Sequence, residues 1–195
     1  MDLLPTTLYK MRTNHDCGPR LIRSITGVAY EKVLRVQGWP SDEECNSSFL
    51  DFLDSPWHHF VAIERLGLSY RIRTLKDLLE NKCEPGRTAI LVHDLDNPFL
   101  AQHWVGLAEV NIDKRKVWIY WGMKGKVAKE KTFEEMEELY AKGSPACVYT
   151  VYKGGTNGCD GTTLYMRLYA LATSALVRIV IFLSVSRILR NLKKK

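Results

Sequence analysis

The spacing of apolar residues changes near residue 88, and that change restricts the fold more than any other feature of the chain. Before it, apolar residues recur at three- and four-residue intervals in short segments closed by Gly or Pro. Leu21, Ile22 and Ile25 precede Gly27, Tyr30, Val33, Leu34 and Val36 precede Gly38-Trp39-Pro40, and Ser55-Pro56-Trp57 opens a segment that runs to Leu66 and Gly67. Ser41-Asp42-Glu43-Glu44 has the form of a capping box, and Thr74 caps a helix carrying Leu75, Leu78 and Leu79. Beyond Pro85-Gly86 the character is that of strands: residues 88–92, 103–110, 117–121 and 146–152 are short runs rich in β-branched and aromatic residues, with Asp113-Lys114 as a turn. Residues 68–72 alternate as an earlier strand, and one acidic-started helix, 132–140, interrupts the later ones. Helices followed by an antiparallel sheet is the α+β pattern.

A chain of 195 residues holds one domain with a substantial core and an appendage. Residues 1–153 are expected to form that domain, and 154–163 a Gly-rich linker. Residues 164–195 then form a hydrophobic, basic-ended helix. The net charge of +6 is concentrated at the end: positions 187–195 hold five Lys or Arg and no acid, so the body is near neutral and offers no nucleic-acid face. Residues 168–186 contain a single charge, Arg178, which places the segment near the margin for membrane insertion. Arg167, Ser174 and Arg178 share one helical stripe, which suits an interfacial helix on anionic headgroups, a polar seam between helices or a hairpin-like insertion into the bilayer, with a helix docked on the body as the other alternative. Cys17, Cys45, Cys83, Cys147 and Cys159 are widely spaced without a C-x-x-C pair, so neither a disulfide framework nor a zinc site is expected. Met1-Asp2-Leu3-Leu4-Pro5 has no basic region followed by an apolar one, so a cleaved secretory signal is not expected. A cytoplasmic, membrane-associated protein without metal or cofactor is the expectation.

One stretch suggests chemistry. Asn14-His15-Asp16-Cys17-Gly18-Pro19 runs into a helix, with Asp16 as N-cap and Pro19 in the first turn. A cysteine at a helix N-terminus is favoured as thiolate, the nucleophilic form, although a lone cysteine also suits a core. The decision lies with a partner base, hence with the histidines. His15 diverges from Cys17 in direction, His58 and His59 open a helix as surface residues, and His93 with Asp94 and Asp96 marks a solvated loop. His103 begins the strand Trp104-Val105-Gly106-Leu107, a rigid place from which an imidazole can be aimed at a helix N-terminus. Trp57, Trp104, Trp118 and Trp121 read either as core or as groove residues.

Asp16-Cys17-Gly18-Pro19 at a helix start, then Pro85-Gly86 before a strand, then His103-Trp104-Val105-Gly106 resembles the papain-fold peptidases that process double-glycine leaders of bacteriocins. The resemblance implies a papain-like fold, a helix carrying the nucleophile Cys17 and a sheet carrying the base His103. It also implies a peptide or protein substrate cleaved through a thioester. The family's upstream Gln, an oxyanion-hole donor, is replaced here by Met11-Arg12-Thr13-Asn14, leaving Asn14 or Arg12 for that role. The strand after the histidine strand lacks the orienting Asp or Asn, with Asp113 in the preceding turn as the nearest carboxylate. Three functions remain open: a cysteine hydrolase, a papain-fold peptide-binding module with degraded chemistry, and a cysteine acyltransferase.

Overall fold

The computed structural model describes residues 17–38, 55–92, 103–120, 128–141, 148–153 and 164–192. Helix α1 (Cys17–Thr26) buries Leu21, Ile22 and Ile25, and α2 (Tyr30–Gln37) ends at Gly38, whose φ of +81° lies in the left-handed region. Helix α3 (Pro56–Arg65) starts with Pro in its first turn. Strand β1 (Ser69–Arg73) leads to α4 (Leu75–Leu79), where Thr74 accepts a hydrogen bond from the Asp77 backbone N–H and donates its own N–H to the Asp77 carboxylate. The Thr74 backbone N–H and hydroxyl, both donating to that carboxylate, hold the Asp77 carboxyl below its usual range. There follow β2 (Thr88–Val92), β3 (His103–Asn111), β4 (Lys116–Tyr120), β5 (Lys129–Thr132), α5 (Phe133–Ala141), β6 (Val148–Tyr152) and α6 (Leu164–Leu192).

The strands form one sheet in the order β1-β6-β2-β3-β4-β5, with every neighbouring pair antiparallel. Side chains alternate across it and sort the core into two layers. Tyr70, Ala89, Leu91, Trp104, Ala108, Tyr120, Tyr149 and Val151 meet α1 and α3 on one face. Ile90, Val92, Val105, Leu107, Val117 and Ile119 meet α4 and α5 on the other. An irregularity between Leu107 and Glu109 lets Val110 join the second layer. Helix α2 lies outside the first layer, joined to α1 and α3 through Ile22, Val33 and Ala62.

The α+β expectation therefore holds, with one strand added. Strand β5, Lys129-Glu130-Lys131-Thr132, has no apolar residue to announce it; it pairs with β4, and Lys116 and Glu130 form an ion pair across the two. The capping box expected at 41–44 and the linker at 154–163 lie outside the described residues.

The candidate membrane span is corrected. Among the described residues no helix is long and apolar enough to cross a membrane. The first half of α6 packs on α3 instead: Arg167 bonds Glu64 at 3.1 Å, the Thr173 hydroxyl bonds His58 Nε2 at 2.9 Å, and Ala170 is buried. Ser174 approaches Gly38 so closely that a Cβ there would lie 3.0 Å from its Oγ, a tight contact at a position whose positive φ already favours glycine.

Phe60 joins α3 to the sheet, stacked on Tyr70 with ring centroids 4.3 Å apart and edge-on to Tyr149 at 5.4 Å. Phe60→Ala is expected to lower unfolding stability by about 3–5 kcal/mol in urea titration. Ile112→Ala, at a position 51% exposed, should change it by less than about 0.5 kcal/mol.

Candidate functional site

Cys17 is the first residue of α1 and is 8% exposed. It belongs to the same core layer as Leu91 and Trp104, because α1 packs across β3 and β2 where their residues on that face are small. Ala89 and Gly106 are ladder partners, and Ala108 follows one step along the same face. This small-residue floor is what lets a helix backbone approach the sheet closely.

His103 is the first residue of β3 and is 1% exposed. In the ladder it stands opposite Val92, and Trp104 stands opposite Leu91. Partners in a ladder share a face. Position 103 therefore belongs by register with Val92 and Val105, whereas Cys17 packs with Leu91 and Trp104. Cys17 and His103 thus lie on elements that touch, at positions that register assigns to different faces.

A second imidazole packs on the layer that contains Cys17. His59, expected at the surface, is fully buried, and so is His58 at 2% exposure. His59 packs against Trp104 with centroids 4.3 Å apart, and its Nδ1 shares a 2.8 Å hydrogen bond with the Tyr149 hydroxyl. His58 is held between two hydroxyls, Ser55 at Nδ1 and Thr173 at Nε2, each at 2.9 Å. Surface exposure fails because α3 has apolar partners on two sides, the sheet and α6. The signal was present in the sequence: His59 and Ile63 are four apart on one helical face.

Asp113 sits in the turn between β3 and β4 and is exposed. The nine residues of β3 separate it from His103, roughly 25 Å of strand, so it cannot orient that imidazole. Arg12, Asn14, His15, Asp16, His93, Asp94, Asp96 and Trp121 lie outside the described residues. Trp104 is core, and Trp57 and Trp118 are partly buried against the same layer. Among the described residues no group of three His, Cys, Asp or Glu could hold a metal ion.

Cys83 provides a contrast. It lies in the opposite core layer, 3% exposed, and burial pushes its thiol up to about 11. Burial penalises the thiolate, so the folded chain holds this proton more tightly than the unfolded chain does. The stability that results is complete below about 9 and is lost as pH rises toward about 11. In native protein Cys83 should resist alkylation at neutral pH, and Cys83→Ala should flatten the decline in unfolding stability over that window.

Two solved structures are similar to this chain. One is the peptidase domain of Streptococcus ComA, a bi-functional ABC transporter involved in a quorum-sensing pathway: 13% identity, a TM-score of 0.47, and coverage of 72% of this chain and 95% of that one. The other is a double glycine motif protease from an AMS/PCAT transporter in complex with the leader peptide: 17% identity, a TM-score of 0.44, and coverage of 72% and 88%. No protein-family model and no curated protein sequence matches the chain.

Proposed function

We propose that the chain is a papain-like cysteine hydrolase acting on peptide or amide bonds, with Cys17 as nucleophile and His103 as base. The observation that carries this reading is that α1, with Cys17 as its first residue, packs on β3, the strand that His103 begins. A helix N-terminus favours thiolate, and a strand start fixes an imidazole. The thiolate would attack the carbonyl carbon, forming a C–S bond. The amine would leave with a proton from His103, and water would then hydrolyse the thioester to free acid and thiol. The Cys17 backbone N–H, with Asn14 or Arg12, would stabilise the oxyanion. Residues 1–153 would be the catalytic unit, joined by 154–163 to the C-terminal helix.

The ladder register favours a second reading, a peptide-binding module in which the cleft persists and the dyad does not. Alkylation separates the two. At pH 6.5 iodoacetamide is expected to modify Cys17 well ahead of Cys83, and His103→Ala should slow the Cys17 reaction at least about tenfold if the imidazole maintains the thiolate. An unchanged rate in His103→Ala removes the hydrolase reading.

Attachment to the cytoplasmic surface of a membrane is the remaining part of the proposal. It is supported by the exposed Leu168, Leu176, Phe182 and Leu183 of α6 and by the basic C-terminal residues. The full chain should co-sediment with phosphatidylserine-containing vesicles at low salt and less so as salt rises. Failure to co-sediment at low salt sinks this part.

A further inference from the structure

A cleft of about 420 Å³ lies between α2, α3 and α6, away from Cys17. Gln37, the last residue of α2, lines it and is 2% exposed. Neither its carboxamide oxygen nor its nitrogen has a hydrogen-bond partner among the described residues. Buried polar groups are ordinarily paired, and an amide left with both donor and acceptor unmet is unfavourable for folding alone. Its chemistry is self-complementary: an amide offers the carbonyl and the N–H that a second amide requires.

The remainder of the lining specifies what else such a ligand carries. Leu171 and Ile179 of α6 supply apolar wall, and Ser174 a hydroxyl. Arg35 and Arg65 also line the cleft and are exposed, so positive charge stands at the solvent-facing rim. Arg65 donates one N–H to the Val36 carbonyl at 2.8 Å, which fixes its stem and leaves other guanidinium donors for an anion. From the buried interior outward, the lining is thus amide-seeking, apolar and cationic.

We propose that this cleft binds an α-carboxylate whose α-carbon carries an apolar side chain and an acylated nitrogen, the chemistry shared by a peptide C-terminus with an apolar last residue and by a free N-acyl amino acid. The ligand amide pairs with Gln37, the apolar group packs on α6, and the carboxylate meets Arg35 and Arg65. Because α6 forms one wall, occupancy stabilises the docking of α6 on α3.

Isothermal titration of the full chain with N-acetyl-leucine tests this. Saturable binding is expected, weakened at least tenfold by Gln37→Met. That variant keeps the volume and removes the unmet amide, so its melting temperature should stay level or rise. N-acetyl-leucinamide should bind several-fold more weakly than the acid, Arg35→Met should narrow that difference, and Arg35→Met with Arg65→Met should abolish it. Equal affinity for a hexapeptide ending in leucine identifies a chain terminus as the ligand source, and exclusion of that peptide identifies the free N-acyl amino acid. No saturable heat with either probe overturns the proposal, as does full affinity in Gln37→Met. These results are independent of Cys17 alkylation, so the cleft and the hydrolase reading stand or fall separately.

Discussion

The contact between His59 and Trp104 organises the half of the molecule in which Cys17 lies. Trp104 sits at the start of β3 and is too large for the space above a sheet unless a helix is set to receive it. Helix α3 receives it with an imidazole, 4.3 Å away centre to centre, and the same imidazole is tied to β6 through Tyr149. Phe60, next along α3, stacks on Tyr70 of β1. Three strands are thereby joined to one helix by aromatic packing, with one hydrogen bond giving the arrangement a direction. With α3 held over Trp104, Tyr149 and Tyr70, the small-residue strip of Ala89, Gly106 and Ala108 remains for α1. The place of Cys17 on the sheet is a consequence of how α3 is seated.

How far the sequence discloses this depends on the kind of signal each element carries. Strand β2 was legible because Thr88-Ala89-Ile90-Leu91-Val92 is buried on both faces and reads as an unbroken β-rich run. Strand β5 was not, since Lys129-Glu130-Lys131-Thr132 forms the edge of the sheet, where main-chain pairing and charges across to β4 suffice. His58 and His59 were misread for a related reason. Two histidines at a helix start look polar in isolation, whereas hydroxyls of Ser55, Thr173 and Tyr149 make their burial compatible with hydrogen bonding. The fate of the C-terminal helix was equally nonlocal. Its apolar composition argued for lipid, while Gly38, which admits Ser174, and Glu64, which meets Arg167, lie more than a hundred residues earlier.

Of the candidate site, the two positions were legible and their relation was not. Cys17 is recognisable as a helix start from Gly18-Pro19, and His103 as a strand start from the alternation that follows it. Which face each adopts is a matter of parity. Val105 and Leu107 are large and Gly106 and Ala108 are small, so the sequence does contain the two faces of β3: the small residues admit α1, and the large ones pack on α4 and α5. By that parity position 103 falls with the large residues, and a one-residue offset exchanges the faces throughout a strand.

This parity locates the chemical question in one pair of the ladder. Among the described residues, His103 and Val92 are the outermost partners of β2 and β3. A terminal pair is where strand twist and the loss of a neighbour can turn a side chain away from the face its register assigns, whereas interior positions such as Val105 are held by partners on both sides. A catalytic dyad is therefore compatible with this sheet only because the histidine stands at the end of the strand. The same imidazole two residues further in, at the position of Val105, would be committed to the α4 and α5 layer with Cys83 and could not serve Cys17.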